Sequence, residues 1–292
     1  MYNNSLTGMF DMLLSCNPEN PEIKKNLFDM VYESPESGER DGLLALIYHE
    51  GIGVKPDMDK CFEYAEKAAF SGDDPLGYYI LGYMCDNAET PDQKSGGPRQ
   101  KYDHYDAERF YESCAKKESI WKIPACNWLG DYFTDFAKGG DPETGVEYYE
   151  EIAEEDAEAA GKLSDYYWDL VMPDHTDDTD RALQLFKWTS VAAKLDPEEY
   201  AYRLGWLYAD GIGCSKTHQL AIKYFNDAFL HDDWRGACSI AHILESYIDQ
   251  HKDMDDKERN AVRHMISSWK ILAKEKKEEN DSEEHDYSQE ED

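Results

Sequence analysis

Basic residues are scarce: 30 Lys and Arg stand against 63 Asp and Glu in 292 residues, a formal charge of −33. Phosphate backbones and anionic lipid surfaces are held by clustered cations, so binding to nucleic acid or to a membrane through a basic patch is excluded as the organising function. Long apolar runs are also missing, and no stretch approaches the ~20 apolar residues that a membrane-crossing helix needs. The short apolar patch Met9, Phe10, Met12, Leu13 and Leu14 has no basic residues ahead of it, so the start does not read as a secretory leader and a cytoplasmic protein is expected. The seven cysteines form no C-x-x-C pair. Cys61/Cys85 and Cys214/Cys238 share a spacing of 24 residues, which admits disulfides between neighbouring helices, but reduced and buried thiols are the expectation.

Signatures of catalysis are absent too. The chain has no G-x-S-x-G elbow, no Walker loop and no H-E-x-x-H, so nothing names a nucleophile, a base or a metal, and a non-enzymatic protein without a cofactor is expected. Asp174, His175, Asp177, Asp178 and Asp180 gather possible ligands in one loop, yet without the central glycine and terminal glutamate of a calcium loop they read as a solvated acidic segment. Asp103, His104 and Asp106 read the same way. The two Gly-x-Gly turns do not make a phosphate loop, since no strand precedes them and no third glycine opens a helix.

Periodicity is what the chain does have. Leu43–Ala69 and Tyr202–Phe229 align almost residue for residue. Each reads as a helix, a Gly-x-Gly turn (Gly51/Gly53 and Gly211/Gly213) and a second helix with apolar residues at i, i+3, i+4 and i+7, namely Cys61, Tyr64, Ala65 and Ala68, or Ala221, Tyr224, Phe225 and Ala228. Glycine tolerates positive φ, which lets the second helix fold back along the first. A small residue marks the first helix at Ala45, Gly82, Gly130, Ser164, Gly205 and Ala241, and a second-helix marker recurs at Cys61, Ala107, Gly145, Ala182, Ala221 and Ala261. A small side chain there lets two helices approach to ~8 Å, so six helical hairpins are expected between about Asp41 and Ala273.

Residues 1–40 are expected to be N-terminal capping helices, with a helix start at Asn20–Pro21. The repeats fill 41–273, with long loops at Asn87–Tyr102 and Pro173–Asp180. Residues 274–292 are expected to be a disordered acidic tail, because nine acidic residues and no Lys or Arg follow from Glu278 onward.

Leu204, Gly205, Leu207, Tyr208, Gly211, Gly213, Ala221, Tyr224 and Ala228, echoed at Tyr48, Gly51, Gly53, Val54, Tyr64, Ala68 and Ala69, resemble the Sel-1-like repeats, relatives of the tetratricopeptide repeats. The second hairpin lacks the Gly-x-Gly turn, and the third and fourth replace it with Ala137–Pro142 and the Pro173 loop. The resemblance implies an all-α, right-handed superhelical solenoid of about six helix-turn-helix repeats, acting as an adaptor or scaffold rather than an enzyme.

In such a stack the positions three before and one after the first-helix marker share a face that the seam does not need. Tyr79, Tyr83, Asn127, Asp131, Asp165, Tyr202, Trp206 and His242 are therefore the expected partner-binding residues, with Tyr79, Tyr83, Tyr202 and Trp206 as apolar anchors and Asp131 and Asp165 selecting a partner rich in Lys or Arg. The alternative is that these rings pack between adjacent hairpins. The expected protein is a monomer that binds a basic protein partner, more weakly at high salt, and touches neither nucleic acid nor membrane. The rival function uses the charge directly, as a nucleic-acid mimic or an immunity protein that neutralises a basic partner.

Overall fold

The computed structural model describes residues 5–16, 20–87, 89, 102, 105–135, 140–172 and 178–287. Its elements are helices, with no β-strand among the described residues. The chain divides into two compact units, Met1–Tyr148 and Tyr149–Asp292. Unit 1 holds α1 (Leu6–Cys16), α2 (Pro21–Glu33), α3 (Gly38–Glu50), α4 (Met58–Glu66), a π-helical turn (Lys67–Ser71), α5 (Pro75–Asp86), α6 (Asp106–Ala115) and α7 (Lys122–Thr134). The boundary falls inside α8 (Pro142–Glu150). Unit 2 continues with α9 (Ala157–Val171), α10 (Thr179–Leu195), α11 (Pro197–Asp210), α12 (His218–Leu230), α13 (Trp234–Gln250) and α14 (Asp256–Tyr287).

Six of the aspartates start these helices. Asp57, Asp74, Asp156, Asp178, Asp196 and Asp233 each accept a backbone N–H of the first turn, as do Asn20 and Ser37. A carboxylate there satisfies an orphan amide and meets the positive end of the helix dipole. Pro21, Pro75 and Pro197 follow their caps at the first helical positions, where no amide hydrogen is needed.

Two Gly-x-Gly turns fold the hairpins α3–α4 and α11–α12 with the same bonds. Ile52 N donates to Ile47 O and Asp57 N to Tyr48 O; Ile212 N donates to Leu207 O and Thr217 N to Tyr208 O. Gly53 (φ 72°) and Gly213 (φ 67°) are left-handed, and a Cβ on either would strike the backbone of an earlier helix, at Lys24 O and Ala182 O. Across each seam two tyrosines stack in parallel, Tyr48 on Tyr64 at 5.7 Å and Tyr208 on Tyr224 at 5.6 Å.

Small markers act as expected in the seams. A Cβ at Gly205 would lie 2.7 Å from the Phe225 ring, and one at Gly145 would lie 2.8 Å from Gly130 O. At Ser164 the seam is polar, and its buried hydroxyl meets Thr189 Oγ1 at 2.8 Å. Two second-helix markers differ. In the fourth hairpin Ala182 is half-buried, and the buried stripe starts three residues later, at Leu185, Thr189 and Ala192. Ala261 is exposed, whereas Ile266 and Ala273 are buried with Trp269 half-buried beside them. The stripe that packs on α13 therefore runs through Val262, Ile266, Trp269 and Ala273, one residue beyond the expected register.

Within residues 1–40 lie the two helices α1 and α2, with Phe10 of α1 buried, and Thr7 N and Oγ1 donate to Glu39 Oε1 at 2.8 and 2.9 Å. A further difference lies in α14. The segment expected to be disordered from residue 274 continues α14 through Tyr287. Lys274 pairs with Glu278 at 3.5 Å and Lys276 with Glu279 at 3.5 Å, while Lys276 Nζ and Asn280 Nδ2 reach back to Asp232. Lysines one turn ahead of the acidic run pair with its first carboxylates, so the like charges from Glu278 onward do not stand alone.

Among the described residues no helix is long and apolar enough to cross a membrane. Cys61, Cys85, Cys114, Cys126, Cys214 and Cys238 are free thiols. Cys61 Sγ lies 3.6 Å from Met84 Sδ, and burial pushes the Cys61 and Cys114 thiols up to about 12.

Candidate functional site

The eight expected site residues fall into both units, four in each. In unit 1, Tyr79 is packed between hairpins: its ring centroid lies 5.6 Å from Tyr111 and 5.3 Å from Trp121. Burial, reinforced by Cys114 and Tyr83, raises its hydroxyl pKa. Tyr79 thus follows the packing alternative rather than the anchor expectation. Tyr83 is 37% exposed, its ring edge-on to His49 at 5.2 Å. Asn127 is half-buried and Asp131 exposed on α7. Between them Trp128 stacks on Tyr111 at 4.4 Å and donates from Nε1 to Asp86 Oδ2 at 3.0 Å.

In unit 2 the geometry is more open. Tyr202, Trp206 and His242 are brought together around a cavity of about 490 Å³, whose wall also includes Asp210, Arg235 and Ser239. α11 supplies Tyr202, Trp206 and Asp210 from successive turns, and α13 supplies Arg235, Ser239 and His242. Phe225 of α12 closes the floor, 5.4 Å from the Tyr202 ring. A second cavity, about 890 Å³, lies against Trp206, Asp210 and the Gly211–Ser215 turn. Trp206 and Asp210 border both.

Asp165 is exposed but already engaged, which departs from its expected role of meeting a partner's cation. Arg203 Nη1 donates to Asp165 Oδ1 at 2.5 Å and to Ser164 Oγ at 3.0 Å, and its guanidinium lies 4.7 Å from the Trp168 ring centroid. Trp168 in turn meets Trp206 at 5.5 Å. The neighbouring Tyr200 hydroxyl is pushed up to about 12, first by burial and then by Asp165. Arg235 is held alike: Nε donates to Asp233 Oδ1 at 2.9 Å and Nη2 to Oδ2 at 2.9 Å, with the guanidinium 4.6 Å from the Tyr202 centroid. The bound Asp233 carboxylate holds this guanidinium above its ordinary pKa. Sequence reasoning passed over Arg203, Asp210 and Arg235. Asp210 was within reach, being one turn beyond Trp206 on the same helix.

Among the described residues no three His, Cys, Asp or Glu side chains gather as a metal site. Asp178 caps α10 by accepting from Asp180 N and Arg181 N, and Asp106 pairs with Arg109 at 3.0 Å. Asp103, His104 and residues 174–177 of the two acidic loops lie outside the described residues.

Residues 43–73, 123–156 and 199–230 match the family model of the Sel1 repeat. The chain carries Sel1 repeats. Its match covers the hairpins α3–α4 and α11–α12 and the α7–α8 segment, where Gly130 and Gly145 mark the seam. No curated protein sequence matches this Sel1-repeat chain. Among solved structures, c5321, a protective antigen of uropathogenic Escherichia coli strains displaying an SLR fold, is 18% identical with a TM-score of 0.56. That match covers 92% of this chain and 54% of c5321, so the chain spans about half that relative's length. A Sel1 repeat protein from Oxalobacter formigenes is 17% identical with a TM-score of 0.49, over 88% of this chain and 99% of that one. The fold reading draws on the first likeness, and at 18% identity it extends to the fold alone.

Proposed function

We propose that the chain is a non-enzymatic interaction module that binds a partner protein through the α11–α13 face of unit 2, with Tyr202, Trp206 and His242 at the contact. The observation that carries this reading is the cavity of about 490 Å³ on which those three residues meet. Half-buried aromatic rings beside an open cavity give a partner's side chain a rigid apolar wall at small entropy cost. Sel1 repeats support the reading at the coarser level, as a repeat class that serves as a protein-interaction scaffold. Unit 2 carries 35 acidic and 16 basic residues, which steers a basic partner toward it and speeds encounter. Tyr83, Asn127 and Asp131 of unit 1 form a further contact in this proposal, with Tyr79 behind them as support.

Mimicry of nucleic acid draws less support, since six aspartates are tied to helix N-termini by the fold itself.

A photo-crosslinking side chain at position 242, compared with one at the exposed position 105, tests the reading in extract of the native host. A discrete partner captured at 242 but not at 105, and lost in Tyr202→Ala/Trp206→Ala and in the cavity-filling Ser239→Trp, is the expected result. Capture that persists in both variants overturns it. Capture should weaken between 0.05 and about 0.5 M NaCl as charge steering is screened.

A further inference from the structure

Unit 2 holds two of its own arginines by the same device. The Arg203 guanidinium lies over the Trp168 ring, 4.7 Å from its centroid, and is clamped by Asp165. Arg235 lies against Tyr202, 4.6 Å from the centroid, and is clamped by Asp233. In both, the ring offers its negative face to the planar cation and a carboxylate takes the guanidinium edge, fixing position and orientation together.

Trp206 and Asp210 are a third ring and carboxylate of this kind. They stand four residues apart on α11, so both project from one side of the helix. Trp206 is half-buried, Asp210 is exposed, and the pair borders both cavities of the unit. Among the described residues no Lys or Arg of the chain lies on the Trp206 ring or against the Asp210 carboxylate. Space for a long side chain and its neighbours exists on either side, about 490 and 890 Å³, with Val171, Leu183 and Ile212 giving the larger cavity an apolar lining.

We propose that Trp206 and Asp210 recognise an arginine side chain of a protein partner, the guanidinium stacking on the indole while the carboxylate takes its N–H edge. This rests on the reading of the α11–α13 face as the partner surface, and it names the partner's chemistry. Arginine rather than lysine is specified because the recognition is planar: a guanidinium stacks and forks, whereas a strongly hydrated ammonium is a point charge that gains less from a flat ring. Neighbouring charges leave this role open. Arg235 is neutralised by Asp233 and Arg203 by Asp165, while Lys270 of α14 pairs with Glu245 at 2.6 Å.

The test titrates the full chain, its tryptophan indoles labelled with ¹⁵N, with blocked hexa-arginine and blocked hexa-lysine peptides at physiological salt. The Trp206 indole signal, assigned with Trp206→Phe, should shift with the arginine peptide, which should bind at least about threefold more tightly than the lysine peptide. Asp210→Asn should weaken arginine-peptide binding at least about fivefold. Asp249→Asn, the same charge change at an exposed α13 position, should weaken it less than about twofold, as one screened charge among many. Equal losses in the two variants, equal affinity for the two peptides, or an unmoved Trp206 signal would each overturn the assignment. Its failure is separable from that of the surface reading. If Tyr202→Ala/Trp206→Ala abolishes partner capture while Asp210→Asn changes neither capture nor peptide binding, the surface stands and the arginine assignment falls. If the double variant leaves capture unchanged, the surface itself falls.

Discussion

Tyr79 and Tyr83 in unit 1 occupy the same repeat positions as Tyr202 and Trp206 in unit 2, three before and one after the small residues Gly82 and Gly205. Their surroundings differ because of what the next hairpin brings. In unit 1 the following helix carries Trp128, which stacks on Tyr111 and ties to Asp86, and Trp121 covers Tyr79. In unit 2 the residue two before the marker Ala241 is Ser239, where Trp128 stands before Gly130. A hydroxymethyl in place of an indole leaves the wall of Tyr202 and Trp206 facing a cavity, and Ser239 Oγ reaches the Tyr202 hydroxyl at 3.4 Å. The first ring of the stripe therefore packs in unit 1, where Tyr79 meets Tyr111 and Trp121, and lines a cavity in unit 2 at Tyr202, while Tyr83 stays 37% exposed.

This contrast can be broken in order of effect. Gly213→Ala and Gly53→Ala attack what the two units share, by forcing a Cβ into a left-handed turn and onto a helix backbone. Each should cost about 3 kcal/mol or more, from strain and overpacking together, seen as a lower urea midpoint. Loss of less than about 1 kcal/mol would mean that the turns are not rigid elements of the hairpins.

Exchanging the bulk at the divergent position comes next. Trp128→Ser should destabilise by about 3 kcal/mol, because a stacked indole and its bond to Asp86 are removed. Ser239→Trp should cost no more than about 1 to 2 kcal/mol while closing the cavity, so partner capture should fall with the fold intact by circular dichroism. Retained capture would deny that Ser239 makes the two units differ.

Caps should respond more mildly and alike in both units. Asp74→Ala and Asp196→Ala each remove a first-turn acceptor, at about 1 kcal/mol by thermal or urea unfolding. Asp74 adds a pH dependence, since burial raises its carboxyl pKa. The folded state then binds that proton more tightly than the unfolded chain, so this group contributes stability below its unfolded value, ~3.9, that is lost as pH rises through the raised folded value. A pH profile in Asp74→Ala identical to that of the unaltered chain would contradict the assignment.

The smallest effect is expected at the α14 tie. The Lys276 ammonium holds the exposed Asp232 carboxyl below its ordinary value, so the tie contributes above the unfolded value and fades as pH falls through the lowered one. Lys276→Met should flatten that acid-side fading in a melting series and leave the α3–α4 hairpin untouched by hydrogen exchange.

Much of this molecule is legible in the chain because it is local. Asn20 before Pro21, Asp74 before Pro75 and Asp196 before Pro197 announce helix starts through bonds only two or three residues long. The Gly-x-Gly turns announce reversals because few other residues tolerate their φ. What resisted reading was register at the fourth and last hairpins, where Ala182 and Ala261 looked like markers and Leu185 and Val262 hold the positions, and the engagement of Asp165 by Arg203 across 38 residues. Helical spacing says which side of a helix a residue takes and is silent about which neighbour meets it.

The amino-acid sequence alone determined the helical hairpins, their small-residue seams and the acidic surface, since each follows from dihedral preference, side-chain volume or formal charge within a few turns of chain. Only the tertiary structure decided which aromatic rings are packing and which border open space, and which carboxylates already hold a cation. Those outcomes depend on side chains from repeats about forty residues away, brought together by stacking that no single hairpin encodes.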